Sequence, residues 1–165
     1  MTGAVARNMK APDKAPNLAP DKAPDLAPDL RSHHLKPVDM PWQKTRFPGC
    51  ELKPLLVDAK SGIATLLFKM APGAELPDHE HVLIEQTYVL EGSLVDKEGP
   101  DAGVEVGPGE FVWRPAGSRH SAWAPKGGTF IAMFQIPNKF FEKDGRVVDA
   151  AGKDWDQAWG ALLAK

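Results

Sequence analysis

The sequence predicts an all-β domain, a sandwich or barrel of short strands, on three observations. Apolar runs recur at residues 52–57, 63–70, 87–90, 111–113 and 130–136, and each is followed within a few residues by Gly, Pro, Asp or Asn. Glycine (15) and proline (16) together make nearly a fifth of the 165 residues, the punctuation of a turn-rich chain. Several runs are apolar on both faces: Ile131 and Met133 alternate with Phe130, Phe134 and Ile136. Strands covered on both sides suit two packed sheets whose inner space is filled or holds a ligand.

The chain opens on a different texture. Residues 11–30 read as a four-residue unit, APDK, APNL or APDL, repeated five times and holding five of the 16 prolines. Proline at that density forbids helix and central strand, and Leu18, Leu26 and Leu30 cannot close a core. Residues 1–40 are therefore expected to be a disordered, extended tail, with His33 and His34 solvated at its end. Residues 41–165 are expected to form one domain. Only its end looks helical, over about 154–164. Asp154 with Gln157 resembles a capping box, and Trp155, Trp159, Leu162 and Leu163 follow at i, i+4, i+7 and i+8.

Composition excludes some functions. Twenty basic against 22 acidic side chains give a net charge of −2, which argues against nucleic acid as the partner. No run approaches the roughly 20 apolar residues needed to span a bilayer, and no signal-like segment follows the N-terminus, so no membrane is expected. The single cysteine, Cys50, permits no disulfide within the chain and fits a reducing, cytoplasmic location.

The chemistry concentrates in two stretches. In GAELPDHEHVLIEQTYVLEG, from Gly73 to Gly92, His79 and His81 are two apart and share a face if extended. Glu85 would lie about 13 Å from His81 along a straight strand. The chain must turn back between Val82 and Ile84 if Glu85 is to join the histidines at one ion. His120 follows a Pro-Ala-Gly turn in GEFVWRPAGSRHSAW. Every histidine beyond the tail belongs to this set, which points to a metal site. If Glu85 faces inward, parity puts Thr87 and Val89 with it and turns Tyr88 and Leu90 outward. Phe68, Trp113, Trp123 and Phe134 are candidates for an aromatic wall, and Gln135 and Arg119 for polar contacts, though Arg119 should point away from His120's face.

These residues resemble a family. Gly73, His79, His81, Glu85 and Gly92 match the first cupin motif at every fixed position, a coincidence expected less than about once in a million starting positions. Gly109, Pro115, Gly117 and His120 match the second motif up to its last position, where the family often has Asn and this chain has Ala124. The resemblance implies a double-stranded β-helix, a jelly-roll barrel with a metal inside, and carries the ligand set onto His79, His81, Glu85 and His120. The run from Pro72 to Asp96, with RPAGSRH, further resembles single-domain cupins of the anti-sigma-factor type and small dioxygenases of β-diketones or hydroxyacetophenones.

Mixed N/O ligands without thiolate suit iron(II), Mn, Ni, Co or Zn. The resemblance implies a non-haem iron(II) dioxygenase that breaks a C–C bond in a small carbonyl substrate. An O2-independent isomerase or decarboxylase and a non-catalytic metal or ligand sensor stand as alternatives. The diketone dioxygenases use three histidines without a coordinating carboxylate. Glu85 is therefore either a ligand or a group that orients a histidine or water. A homodimer is expected, since cupins commonly pair through barrel faces and edge strands.

Overall fold

The computed structural model describes residues 32–164, and the fold is carried by the unit Leu35–Lys165. The APDK repeat lies outside the described residues. A 3-10 turn at Pro37–Asp39 leads into twelve strands: β1 (Gln43–Lys44), β2 (Cys50–Asp58), β3 (Ile63–Met70), β4 (Ala74–Glu80), β5 (Glu85–Gly92), β6 (Leu94–Asp96), β7 (Glu105–Val106), β8 (Phe111–Arg114), β9 (Arg119–Ala124), β10 (Gly128–Gln135), β11 (Lys139–Phe141) and β12 (Val147–Val148). Helix α1 (Trp155–Trp159) and a 3-10 turn at Gly160–Leu162 follow.

The strands form two six-stranded antiparallel sheets, ordered β1-β2-β3-β10-β5-β8 and β12-β11-β4-β9-β6-β7. One buried cluster joins them: Met70, Val89 and Phe130 come from the first sheet, and Leu94, Ala122 and Phe140 from the second. The inner faces therefore pack on each other, as expected of strands covered on both sides. In β5, Thr87 and Val89 are buried while Tyr88 and Leu90 are exposed, the parity expected from an inward Glu85.

Two glycines make the turns possible. Gly92 closes β5 at φ 76°, and a Cβ there would meet the carbonyl oxygen of Gly127 at 1.9 Å. Only a hydrogen fits between these two backbones. Gly117 turns at φ 78° between β8 and β9, and its N–H donates to the carbonyl of His81 at 2.7 Å.

Helix α1 begins as its sequence predicts, with Asp154 Oδ1 accepting from the Gln157 N–H at 2.9 Å. It is shorter than the expected 154–164: α-helical geometry ends at Trp159, and Gly160 opens a tighter turn. Of the expected apolar stripe only Trp155 is fully buried, and Leu163 is exposed. The Trp155 indole N–H donates to the carbonyl of Pro137 at 2.7 Å, tying the helix to the corner after β10. At that corner Ile136 takes φ 63°, a left-handed conformation that costs a β-branched residue about 1–3 kcal/mol. Its N–H bond to the Gly62 carbonyl (2.8 Å) and its burial hold it there.

Candidate metal centre

Antiparallel pairing collects the site at one end of the two sheets. His79 on β4 pairs directly with His120 on β9, and Glu85 at the start of β5 pairs with Arg114 at the end of β8. A register shift lies between Leu76 and His79, at Pro77 and Asp78. A proline, which has no N–H to give a ladder, is tolerated at such an irregularity. The shift lets Leu76 and His79, three apart, both face the interior. His81 lies just past β4, held by its N–H to the Ser118 carbonyl at 2.9 Å. The chain then turns through residues 82–84, as the spacing requires, and passes from the second sheet into the first at Glu85.

His79, His81 and His120 are each at most 5% exposed, and one ring nitrogen from each lies within 4.8 Å of the others. Nε2 of His81 and Nε2 of His120 are 3.0 Å apart. Two nitrogens bonded to one ion at about 2.1 Å and a right angle lie about 3.0 Å apart, so this pair is spaced as cis ligands would be. The far nitrogens face acceptors. His79 Nδ1 lies 2.9 Å from the Pro77 carbonyl, His81 Nδ1 is 3.2 Å from Glu85 Oε2, and His120 Nδ1 is 2.9 Å from Asp96 Oδ1. The two carboxylate contacts are close without aligned hydrogen-bond geometry. An acceptor behind each ring favours the tautomer with a bare Nε2 turned inward, which is what a metal needs. The donor set therefore fits a divalent ion.

Glu85 stands behind His81 at Nδ1, outside the three-histidine cluster. It also accepts from Thr87 Oγ1 at 3.3 Å and Asn138 Nδ2 at 3.2 Å. Arg114, buried between the sheets, ties Glu85 to Asp96: its guanidinium lies 3.4 Å from Glu85 Oε1 and 2.5 Å from Asp96 Oδ1. Burial raises the pKa of each carboxyl, but the neighbouring histidines and Arg114 outweigh it and hold both below their ordinary values. Burial first, then the nearby His120, pushes His79 down to about 4, so its ring is neutral near pH 7. Asp96, Arg114 and Asn138 were not singled out from the sequence. The available signal was a charge closing a short apolar strand, Asp96 after Leu94-Val95 and Arg114 after FVW.

His79 and His120 open onto a cavity of about 450 Å³. Phe68 and Phe134 line it as expected, with Leu66, Leu76, Phe130 and Phe140. Phe140 also stacks on His79, ring centres 5.1 Å apart. Of the other proposed contacts, Trp113 is exposed on β8, and Trp123 alternates with the buried Ala122 and Ala124. Gln135 is exposed. Arg119 faces outward, paired with Asp78 and lying over the Phe141 ring at 3.9 Å.

Two packed antiparallel sheets with a buried three-histidine cluster between them define a cupin. The chain belongs to the family described as the ChrR cupin-like domain, whose model matches residues 31–139. No curated protein matches it by sequence. Among solved structures it is similar to an acetylacetone dioxygenase from Acinetobacter johnsonii, at 19% identity over 87% of this chain and 98% of that one (TM-score 0.63). A candidate acetylacetone dioxygenase from Methylibium petroleiphilum is similar at 23% identity over 83% and 98% (TM-score 0.64). The anti-sigma factor ChrR of Rhodobacter sphaeroides, solved in complex with SigE, is similar at 22% identity over 61% and 51% (TM-score 0.50). At these identities the likeness is one of fold. Among the described residues no helix is long and apolar enough to cross a membrane.

Proposed function

We propose that His79, His81 and His120 hold a divalent ion, iron(II) in the working protein, and that the chain is a dioxygenase cleaving a C–C bond in a β-diketone or hydroxyaryl ketone. The observation that carries this reading is three converging imidazole nitrogens beside a largely apolar cavity onto which His79 and His120 face. Bound there, iron(II) supplies a Lewis acid and a redox partner for O2 and a chelating enolate. The chain's own residues do the rest. Glu85 and Asp96 fix the tautomer and angle of two rings, and Arg114 fixes both carboxylates. Phe68, Phe130 and Phe134 keep water from the reacting carbons. Two of the structural neighbours are described as acetylacetone dioxygenases or candidates for one, which supports the substrate class. In this reading Glu85 orients His81 and is no ligand, so Glu85→Gln, which keeps an acceptor, retains metal affinity within about tenfold.

The test is O2 uptake by protein reconstituted anaerobically with iron(II), over a panel of β-diketones and hydroxyaryl ketones. The zinc form and His120→Ala run alongside. Uptake that needs iron, substrate and His120 upholds the reading. Turnover of the same compounds without O2 would make the chain an isomerase or decarboxylase instead. Absence of any turnover favours the non-catalytic sensor, a reading in keeping with the similarity to an anti-sigma factor. A homodimer belongs to the proposal: Tyr88, Leu90, Phe111 and Trp113 are exposed on β5 and on β8, which ends the first sheet. Sedimentation equilibrium at a monomer's mass would remove it.

A further inference from the structure

The cavity is larger than a small diketone needs. At about 30 Å³ for each water-sized group, 450 Å³ holds about 15 non-hydrogen groups, of which a chelating dicarbonyl core takes about five. Two groups of polar side chains line the cavity: Glu85, Thr87, Arg114 and Asn138 beside the histidines, and Gln43, Lys44, Thr45 and Arg46 on β1 and the segment after it. The sheet faces between these groups are apolar: Leu66 and Phe68 from β3, Leu76 from β4, and Phe130, Ala132 and Phe134 from β10. A polar group seated among these would lose its hydration and find no partner. The wall also has a step. On β10 the inward side chains run Phe130, Ala132, Phe134, so the middle position is much the smallest. Ala132 lies between Leu66 on β3 and Thr87 on β5, which places this recess beside the polar group at the histidines.

Resting on the dioxygenase reading, we propose that the substrate is an amphiphile: a chelating carbonyl head at the histidines and an apolar body, aryl or alkyl, of about ten carbon atoms. Ala132 is the specificity-determining residue, because the space it leaves admits that body. The head is read by the ring nitrogens. Against the apolar sheet faces the body is read by shape and by removal of its apolar surface from water.

The experiment is calorimetric titration of the full chain loaded with zinc, which offers a chelation point without turnover. Three probes are used: 2,4-pentanedione, 1-phenyl-1,3-butanedione and 2,4-nonanedione. A buried methylene tightens binding up to about fourfold, so four of them give at most about 200-fold. We expect nonanedione and the phenyl compound to bind at least tenfold tighter than pentanedione. Ala132→Leu fills the recess, and should weaken the two larger ligands at least tenfold more than pentanedione. Equal affinities for all three in the unaltered chain would overturn the proposal. So would an Ala132→Leu protein that weakens all three alike, because the body would then not lie at Ala132. If that variant fails to fold, Ala132→Val repeats the comparison with a smaller intrusion. A chain that takes up zinc and binds none of the probes overturns the diketone reading itself, an outcome distinct from binding without dependence on size.

Discussion

Replacing Arg114 with methionine removes a guanidinium that touches two buried carboxylates while keeping comparable volume. Side chains of Glu85 and Asp96 are 12% and 15% exposed, so water cannot take over the lost contacts. Breaking such a buried pair costs about 3–5 kcal/mol. The lower end applies here, because Glu85 keeps Thr87, Asn138 and His81, and Asp96 keeps His120. A loss of about 3 kcal/mol is therefore expected in metal-free protein, read as a lower urea midpoint at unchanged slope. Zinc should shrink that loss, since an ion on the three histidines brings positive charge back to the same carboxylates. The assay is urea unfolding of both proteins, with chelator and with zinc. A metal-free difference below about 1 kcal/mol would refute the account of Arg114 as the tie between the carboxylates. An equal difference in both forms would refute its electrostatic part.

Other outcomes follow from the same geometry. His79 is depressed from 6.5 to about 4, so the unfolded chain binds the proton first and metal-free stability should fall as pH drops through that window. The loss is up to about 3 kcal/mol and should be absent above pH 6.5, as urea midpoints from pH 7.5 to 4.5 would show. Asp96→Ala strips the acceptor from behind His120 and should weaken zinc binding 10- to 100-fold in a chelator competition, with folding retained. Gly92→Ala places a methyl group on the Gly127 carbonyl, so the end of the β5–β10 pair must open; a loss of 3 kcal/mol or more is expected, or failure to fold.

Where the sequence was readable follows the division between the sheets. Its five apolar runs are β2, β3, β5, β8 and β10, all in the first sheet. The second sheet is built from two- and three-residue strands and from β4 and β9, whose sequences AELPDHE and RHSAWA carry His79 and His120 in place of an apolar pattern. Hydrophobic periodicity passes over them, and only the spacing of Gly, His and Pro marks them. Glu85's inward direction was legible because parity is local. Its partners were not: Arg114 lies 29 residues and Asn138 53 residues beyond Glu85, and Asp96, on the other side of Arg114, is 18 residues from it. No short-range rule links groups that meet only when strands from different hairpins close on one another. The helix was placed correctly at its start, where a cap is chemically specific, and overextended past Gly160, where the apolar stripe continues without burial.

The bond from Trp155 to the Pro137 carbonyl also bears on exchange kinetics. Pro137 precedes Asn138, whose amide holds the carboxylate behind His81. A short terminal helix opens far more often than a double-sheet core. Each opening of α1 slackens the Ile136–Asn138 corner, and with it the restraint on one of the three rings, while both sheets stay closed. For an ion held as proposed, entry and release would then have a route whose rate is set at the carboxyl-terminal end of the fold, long before the fold itself is at risk.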